Sequence, residues 1–247
     1  MAISGNSAPT LNEFGQPVGF ALKDWCPPPF PPHKTLTGRY CSIEPLKADC
    51  HAQDVWNAQA DDPSGARWTY LPNGPFSSLE EFETWCRNGE HSTDPQFYAV
   101  VVNGRAVGVV AYLRIVPNHG VIEIGHIYYS SQLAKTRAAT EAMYLLAANA
   151  FQLGYRRYEW KCDSLNLPSR NAAARLGFTY EGTFRQLIVY KGRNRDTSWF
   201  SITDGDWNGG LKSAYERWLE PNNFDENGQQ KLKLSELTAS FVRTMMQ

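Results

Sequence analysis

The chain contains no Cys-x-x-Cys pair, and its five cysteines (Cys26, Cys41, Cys50, Cys86 and Cys162) are an odd number. That spacing supports neither a disulfide framework nor a clustered metal site, so reduced thiols and no metal are expected. Apolar runs are short. None approaches a bilayer span, and Met1 to Thr10 is small and polar with no apolar signal core. A cytoplasmic protein with no membrane partner is the expectation. Charge of one sign is also lacking: 24 Lys and Arg meet 25 Asp and Glu. That balance gives no electrostatic case for nucleic acid, and the basic cluster Lys191-Gly192-Arg193-Asn194-Arg195-Asp196 is local.

What is present is enough chain, 247 residues, to bury a core as one large domain or two small ones. Residues 1–34 read as an arm rich in Pro, Gly and Asn, with Pro27-Pro28-Pro29-Phe30-Pro31-Pro32 favouring polyproline geometry. Phe14, Phe20, Trp25 and Phe30 are the residues expected to pin it to the body. Residues 35–207 read as the folded domain and 208–247 as a helical extension. Within the domain, a first strand is predicted over Gly38 to Leu46, and helices over Ala48 to Gln59 and Ser77 to Asn88. Ser78-Leu79-Glu80-Glu81 supplies a capping box for the second helix.

Strands follow over Phe97 to Val102, Ala106 to Val116 and Gly120 to Tyr129, the first two joined by the hairpin signal Asn103-Gly104. Met143, Leu146, Ala147, Ala150 and Phe151 share one helix face within Thr140 to Leu153. Next come a strand (Tyr155 to Cys162) and a short helix with Pro168 in its first turn and Gly177 past its end. Strands over Thr179 to Tyr190 and Asp196 to Thr203 follow. Helices are then expected over Gly210 to Leu219 and in the tail from Leu232 to Met245. The order predicts an α/β (α+β) domain, a mixed sheet with helices on both faces.

Three constellations carry chemistry. The loop Ser130 to Thr140 precedes the strongest helix, and a helix N-terminus attracts phosphate. Lys135 and Arg137 add charge there, and Thr136 can cap the helix or donate to a phosphate. Glu123 lies in the apolar strand Ile122-Glu123-Ile124-Gly125-His126-Ile127; it either reaches solvent or is buried, and burial raises its pKa towards that of a general base. His126 falls on the opposite face unless a bulge at Gly125 intervenes. Asn166 and Ser169 stand at the mouth of the short helix, able to cap it or to meet a ligand amide.

Glu123-Ile124-Gly125, the loop before Ala139-Thr140-Glu141-Ala142, and Asn166-x-x-Ser169 with Leu176-Gly177-Phe178-x-x-Glu181-Gly182 resemble a GNAT-superfamily N-acetyltransferase. Within it the chain is most similar to the ribosomal-protein-alanine acetyltransferases, the RimJ/RimL type. The resemblance covers Leu36 to Trp207. It implies a single domain with a mostly antiparallel twisted sheet and splayed central strands. It implies acetyl-CoA as cosubstrate, with its pantetheine along Ile127, Tyr128 and Tyr129. The pyrophosphate would lie on the loop and helix start at Lys135, Thr136, Arg137, Ala138, Ala139 and Thr140. Asn166 and Ser169 would meet the sulfur end. A primary amine, from a small molecule or a peptide N-terminus, would attack the thioester directly, with Glu123 as base and Ser169 as acid.

The chain departs from the family pattern at stated places. The phosphate loop, usually Gln/Arg-x-x-Gly-x-Gly/Ala, here has no glycine between Leu133 and Ala139. Ala173 stands where many relatives have a tyrosine acid, and Ile188 stands near where the RimL type offers a glutamate. The acceptor pocket is expected from Asp61 to Phe76 and the last hairpin. Asp61 or Asp62 would attract a cationic amine, and Trp68, Tyr70 and Phe76 would wall it. Arg185, Arg193 or Arg195 would bind an acceptor carboxylate or cross-link the hairpin. A homodimer through the C-terminal helices is a further expectation.

Overall fold

The computed structural model describes residues 9–60 and 62–242. A small hairpin, β1 (Thr10–Leu11) with β2 (Pro17–Val18), lies in the arm. The main sheet runs β3 (Leu36–Thr37), β4 (Ser42–Pro45), β5 (Gln96–Val102), β6 (Arg105–Val116), β7 (Val121–Tyr129), β8 (Arg157–Asp163), β10 (Arg193–Thr203), β9 (Thr179–Tyr190), in that spatial order. Every adjacent pair is antiparallel except β7 and β8. Helices α1 (Gln53–Gln59) and α2 (Leu79–Glu90) pack on one face. Helices α3 (Arg137–Gln152) and α4 (Leu167–Arg175) pack on the other. The short turn α5 (Asp204–Asp206) leads to α6 (Lys212–Leu219) and α7 (Leu234–Thr238), which join α3 and α4. Covered on both sides, β6 reads as a nearly continuous buried run from Ala106 to Leu113.

Three departures from the sequence expectations have local causes. First, of the strand expected over Gly38 to Leu46 only Ser42–Pro45 is strand, because the turn before it, which follows β3, is held by a helix. The buried Glu141 carboxylate of α3 accepts the backbone N–H groups of Arg39 (2.8 Å), Tyr40 and Cys41 (2.9 Å). A Cβ at Gly38 would sit 2.4 Å from that carboxylate. Second, α3 begins a turn earlier than Thr140, since Thr136 Oγ1 accepts from the Ala139 N–H at 3.1 Å and caps it. Third, the arm docks through prolines and not through Phe14 or Phe30, which are 76% and 44% exposed. Pro28 and Pro31 are buried, and the Pro29 and Pro31 carbonyls accept from Tyr155 and Gln96. Trp25, half-buried, does meet the body at Arg156.

The C-terminal helices turn their apolar sides to their own chain. Trp218, Leu219 and Leu234 are buried. The tail helix is confined to Leu234–Thr238, and the expected continuation to Met245 lies outside the described residues.

Candidate active site

The parallel pairing of β7 and β8 lasts only from Val121↔Arg157 to Ile124↔Trp160. Beyond Ile124 the strands part. A bulge marks the point: Val109 pairs with Tyr128 but Ala111 with Gly125, so β7 carries one residue more than β6. His126 takes the left-handed conformation, φ +49°, and re-aims the strand. Past it, β7 pairs with β6 alone, and its other edge faces the opening. The gap is a cleft of about 1300 Å³ that reaches from the start of α3 to the β9–β10 hairpin.

At one end the cleft is electropositive. Lys135, Arg137 and Arg175 line it around the first turn of α3, and among the described residues none of the three forms an ion pair with a carboxylate. The Arg137 guanidinium lies 4.9 Å from the Tyr40 ring and 4.7 Å from the Phe224 ring. Arg175 donates to Thr140 Oγ1 (3.2 Å) and lies over Trp218. The first-turn N–H groups of α3 point out of the helix, as in every helix. Lys135 has φ +64°. It takes the left-handed conformation that glycine adopts most readily, and it adds a charge there.

In the middle stands Glu123, 3% exposed. Arg114 Nη1 donates to both carboxylate oxygens (2.7 and 2.8 Å), and Lys161 Nζ to one (2.8 Å). Lys161 continues to Glu159 (2.8 Å), Glu159 to Arg157 (2.6 Å), and Arg157 to Glu181. The result is a row of alternating charges from β6 across β7 and β8 to β9. Lys161 also lies 3.8 Å from the Trp199 ring centre. Burial pushes the Glu123 carboxyl above its ordinary value, and Lys161 and Arg114 pull against it. A carboxylate has about four lone-pair sites, and three contacts use them here; one remains for a guest. His126 lines the same space, and burial, then the Arg114 charge, lowers it to about 4, so at neutral pH its imidazole is uncharged.

Across the gap, Asn166 and Ser169 do what a helix mouth needs. Asn166 Oδ1 accepts the Ser169 N–H (3.1 Å) as the cap of α4. Ser169 Oγ accepts from Trp160 Nε1 (3.0 Å), and its own O–H is directed at the Cys162 sulfur. Cys162 lies against Ser169, and burial raises its thiol above the ordinary value.

Ile127, Tyr129, Lys135, Thr136, Arg137, Ala139, Thr140, Asn166 and Ser169 all line the cleft, as does Tyr70. Tyr128 and Ala138 are buried behind it. Other residues expected at the acceptor side are elsewhere. Trp68 is 3% exposed, stacked on Tyr128 at 4.3 Å, with its Nε1 bonded to Gln59. Phe76 packs between Trp68, Phe82 and Trp85. Asp62 pairs with Arg67 at 2.9 Å, so it is Arg67 that faces the cleft. Arg185 is exposed near the bend of β9, outside the cleft lining. Asp61 lies outside the described residues.

Sequence reasoning missed Lys161, Arg114, Arg175, Phe224 and Gly228 to Gln230, all of which help build the cleft. Lysine in a strand reads as a solvated face, and no local signal carries Phe224 to Arg137.

Comparisons with known proteins show the family and the fold. The family model described as acetyltransferase (GNAT) domain matches residues 42–179. A GCN5-related N-acetyltransferase from Brucella melitensis is 46% identical over 88% of this chain and 100% of its own, with a TM-score of 0.85. A probable acetyltransferase (GNAT family) from Chromobacterium violaceum is 42% identical over 78% of this chain and 98% of its own, TM-score 0.73. RimL, described as a ribosomal L7/L12 alpha-N-protein acetyltransferase, is 16% identical over 69% and 94% with a TM-score of 0.60, a likeness of fold alone. No curated protein matches the sequence.

Proposed function

The chain belongs to the GNAT acetyltransferases, and we propose that it moves an acetyl group from acetyl-CoA to the primary amine of a small molecule, by direct attack in a ternary complex. One observation carries the reading. The cleft joins an electropositive helix start to a buried carboxylate along an unpaired strand edge, the arrangement an anionic, extended thioester and a cationic acceptor need. Lys135, Arg137 and Arg175 would hold the phosphates. Glu123 would take the ammonium proton at its remaining lone-pair site, directly or through water. The O–H of Ser169, turning from Cys162, would protonate the departing thiolate. The raised pKa of Cys162 opposes a covalent route through that thiol, since the thiolate is the nucleophile.

A small acceptor is favoured because the far end of the cleft is bridged. Lys191 Nζ, at the β9–β10 turn, donates to the Trp68 carbonyl at 2.8 Å, and the Tyr70 hydroxyl donates to the Leu165 carbonyl at 3.4 Å. A chain passing through would have to break that roof. Among the described residues no helix is long and apolar enough to cross a membrane, and no His, Cys, Asp and Glu cluster suits a metal.

Acetyl-CoA at about a hundred times its Kd is expected to stabilise the fold by ~2.7 kcal/mol in a thermal melt, and free CoA is expected to appear when a suitable amine is added. A melt unmoved by acetyl-CoA would overturn the reading; a shift with no turnover across amines, amino acids and N-terminal peptides would leave a silent acyl-CoA-binding module. Lys135→Gly relieves a left-handed side chain costing about 1 kcal/mol, so the melting temperature is expected to hold. The KM for acetyl-CoA should rise about fivefold, the equivalent of ~1 kcal/mol of lost charge contact. An unchanged KM would remove Lys135 from the phosphate site.

A further inference from the structure

Among the described residues, Arg195 is the one cation lining the acceptor end of the cleft that forms no ion pair with a carboxylate. Arg114 is committed to Glu123 and Arg67 to Asp62. Lys191 is tied to the Trp68 carbonyl. Arg195 stands on β10 beside the cleft, with its guanidinium 5.6 Å from the centre of the Tyr190 ring. Its Nε is buried and makes no hydrogen bond among the described residues. The nearby Asp163 forms no ion pair with it: one Asp163 oxygen accepts the Leu165 N–H (2.8 Å), the other the Tyr190 hydroxyl (2.9 Å). The neighbouring Asp196 also forms no ion pair with it, its Oδ1 accepting from the Gln186 N–H and Asn194.

A buried donor left unsatisfied costs about 1–3 kcal/mol, and a guanidinium held against a ring offers a fixed planar fork. The guest that fits such a fork is a carboxylate, which can take two parallel N–H donors. The opposite demand, a group to take a proton from an amine, is met by Glu123 in the same cleft.

We propose that the acceptor carries a carboxylate beside its amine, as an amino acid does, and that Arg195 holds that carboxylate while the amine faces Glu123. This rests on the acetyl-transfer reading and narrows it. It assigns Arg195 a specificity role, distinct from the phosphate-binding cations at the start of α3.

The test compares free CoA release for a panel of the protein amino acids, each beside its α-amide and its decarboxylated amine. The acids are expected to exceed their amides by ~10-fold or more in kcat/KM, the equivalent of about 1.4 kcal/mol. Arg195→Ala should erase that preference through the KM for the acids and keep the acetyl-CoA thermal shift. Arg195→Lys, with charge but no fork, should restore part of it. Amides and amines used as well as the acids by the wild type would overturn the proposal. So would Arg195→Ala and Arg195→Lys slowing both classes equally. Calorimetric titration of the CoA-saturated protein with the same panel reads the preference even without turnover; binding indifferent to the carboxylate, or no binding of any acid, would also overturn it. A protein that neither binds acetyl-CoA nor releases CoA fails at the acetyl-transfer reading instead.

Discussion

Glu123→Gln is expected to lower kcat about a hundredfold or more, in keeping with the loss of a positioned general base, with the KM for acetyl-CoA within about twofold. The reason for the separation is spatial. Glu123 sits where the strands part, whereas the cations assigned to the phosphates surround the start of α3. Glutamine keeps the shape and can still accept from Lys161 or Arg114, but it cannot take a proton. Stopped-flow or CoA-release kinetics against both substrates would check this, with a melt to confirm folding. Wild-type turnover in the variant would remove Glu123 from the chemistry and leave a water as base. The pH profile supplies a second readout. Burial raises the Glu123 carboxyl, so its protonated form persists to higher pH than in an exposed glutamate. Activity should therefore climb with pH along a limb placed above the ordinary carboxylate range. The Gln variant should lack that limb. For stability the sign is opposite: a raised carboxyl favours the folded state below its folded pKa and ceases to as pH rises through it.

Lys161→Met is the substitution expected to injure the fold most. The ammonium is 7% exposed and lies between Glu123 and Glu159, 2.8 Å from each. Removing it leaves two buried carboxylates facing each other with one arginine apiece. Breaking a buried ion pair from one side costs about 3–5 kcal/mol, and in a domain of this size each kcal/mol shifts Tm by roughly 2–4 °C. A fall of about 6–20 °C is the expected outcome by calorimetry. Part of it should return in Lys161→Met combined with Glu159→Gln, which discharges the partner. The surviving activity of the single variant should need a higher pH, since Glu123 has lost a cation that favoured its charged form. A melting temperature within about 2 °C of wild type would mean that solvent screens this row far more than its burial suggests.

Local signals made most of the frame legible in the sequence. Asn103-Gly104 turned where it was expected, with φ of +50° and +76°. Gly177 closed α4 at φ +88°, and Ser78 capped α2 through the Glu81 N–H. The single GNAT-like domain and its mixed sheet follow from such signals in order. What stayed hidden depended on pairing between distant strands. Glu123 lies opposite Glu159 in the parallel register, two like charges that only Lys161 makes tolerable. No window of sequence displays that triple. Likewise Trp68 and Phe76 read as pocket walls because aromatics suit both walls and cores, and only packing against Phe82 and Trp85 separates the two. The bulge fell at His126, one residue beyond the glycine that suggested it.

The row from Arg114 to Glu181 has a consequence for how any titration of this protein is read. Its members touch in sequence, so a proton gained by one changes the field on the next. The hydroxyl of Ser201, which donates to Glu181 at 2.7 Å, ties a further strand to the far end. The ionisation of Glu123 measured at the cleft then carries the influence of the whole string. Its curve should be broader than a one-proton transition, and substitutions at Glu181, distant from the reacting amine, should slide its midpoint.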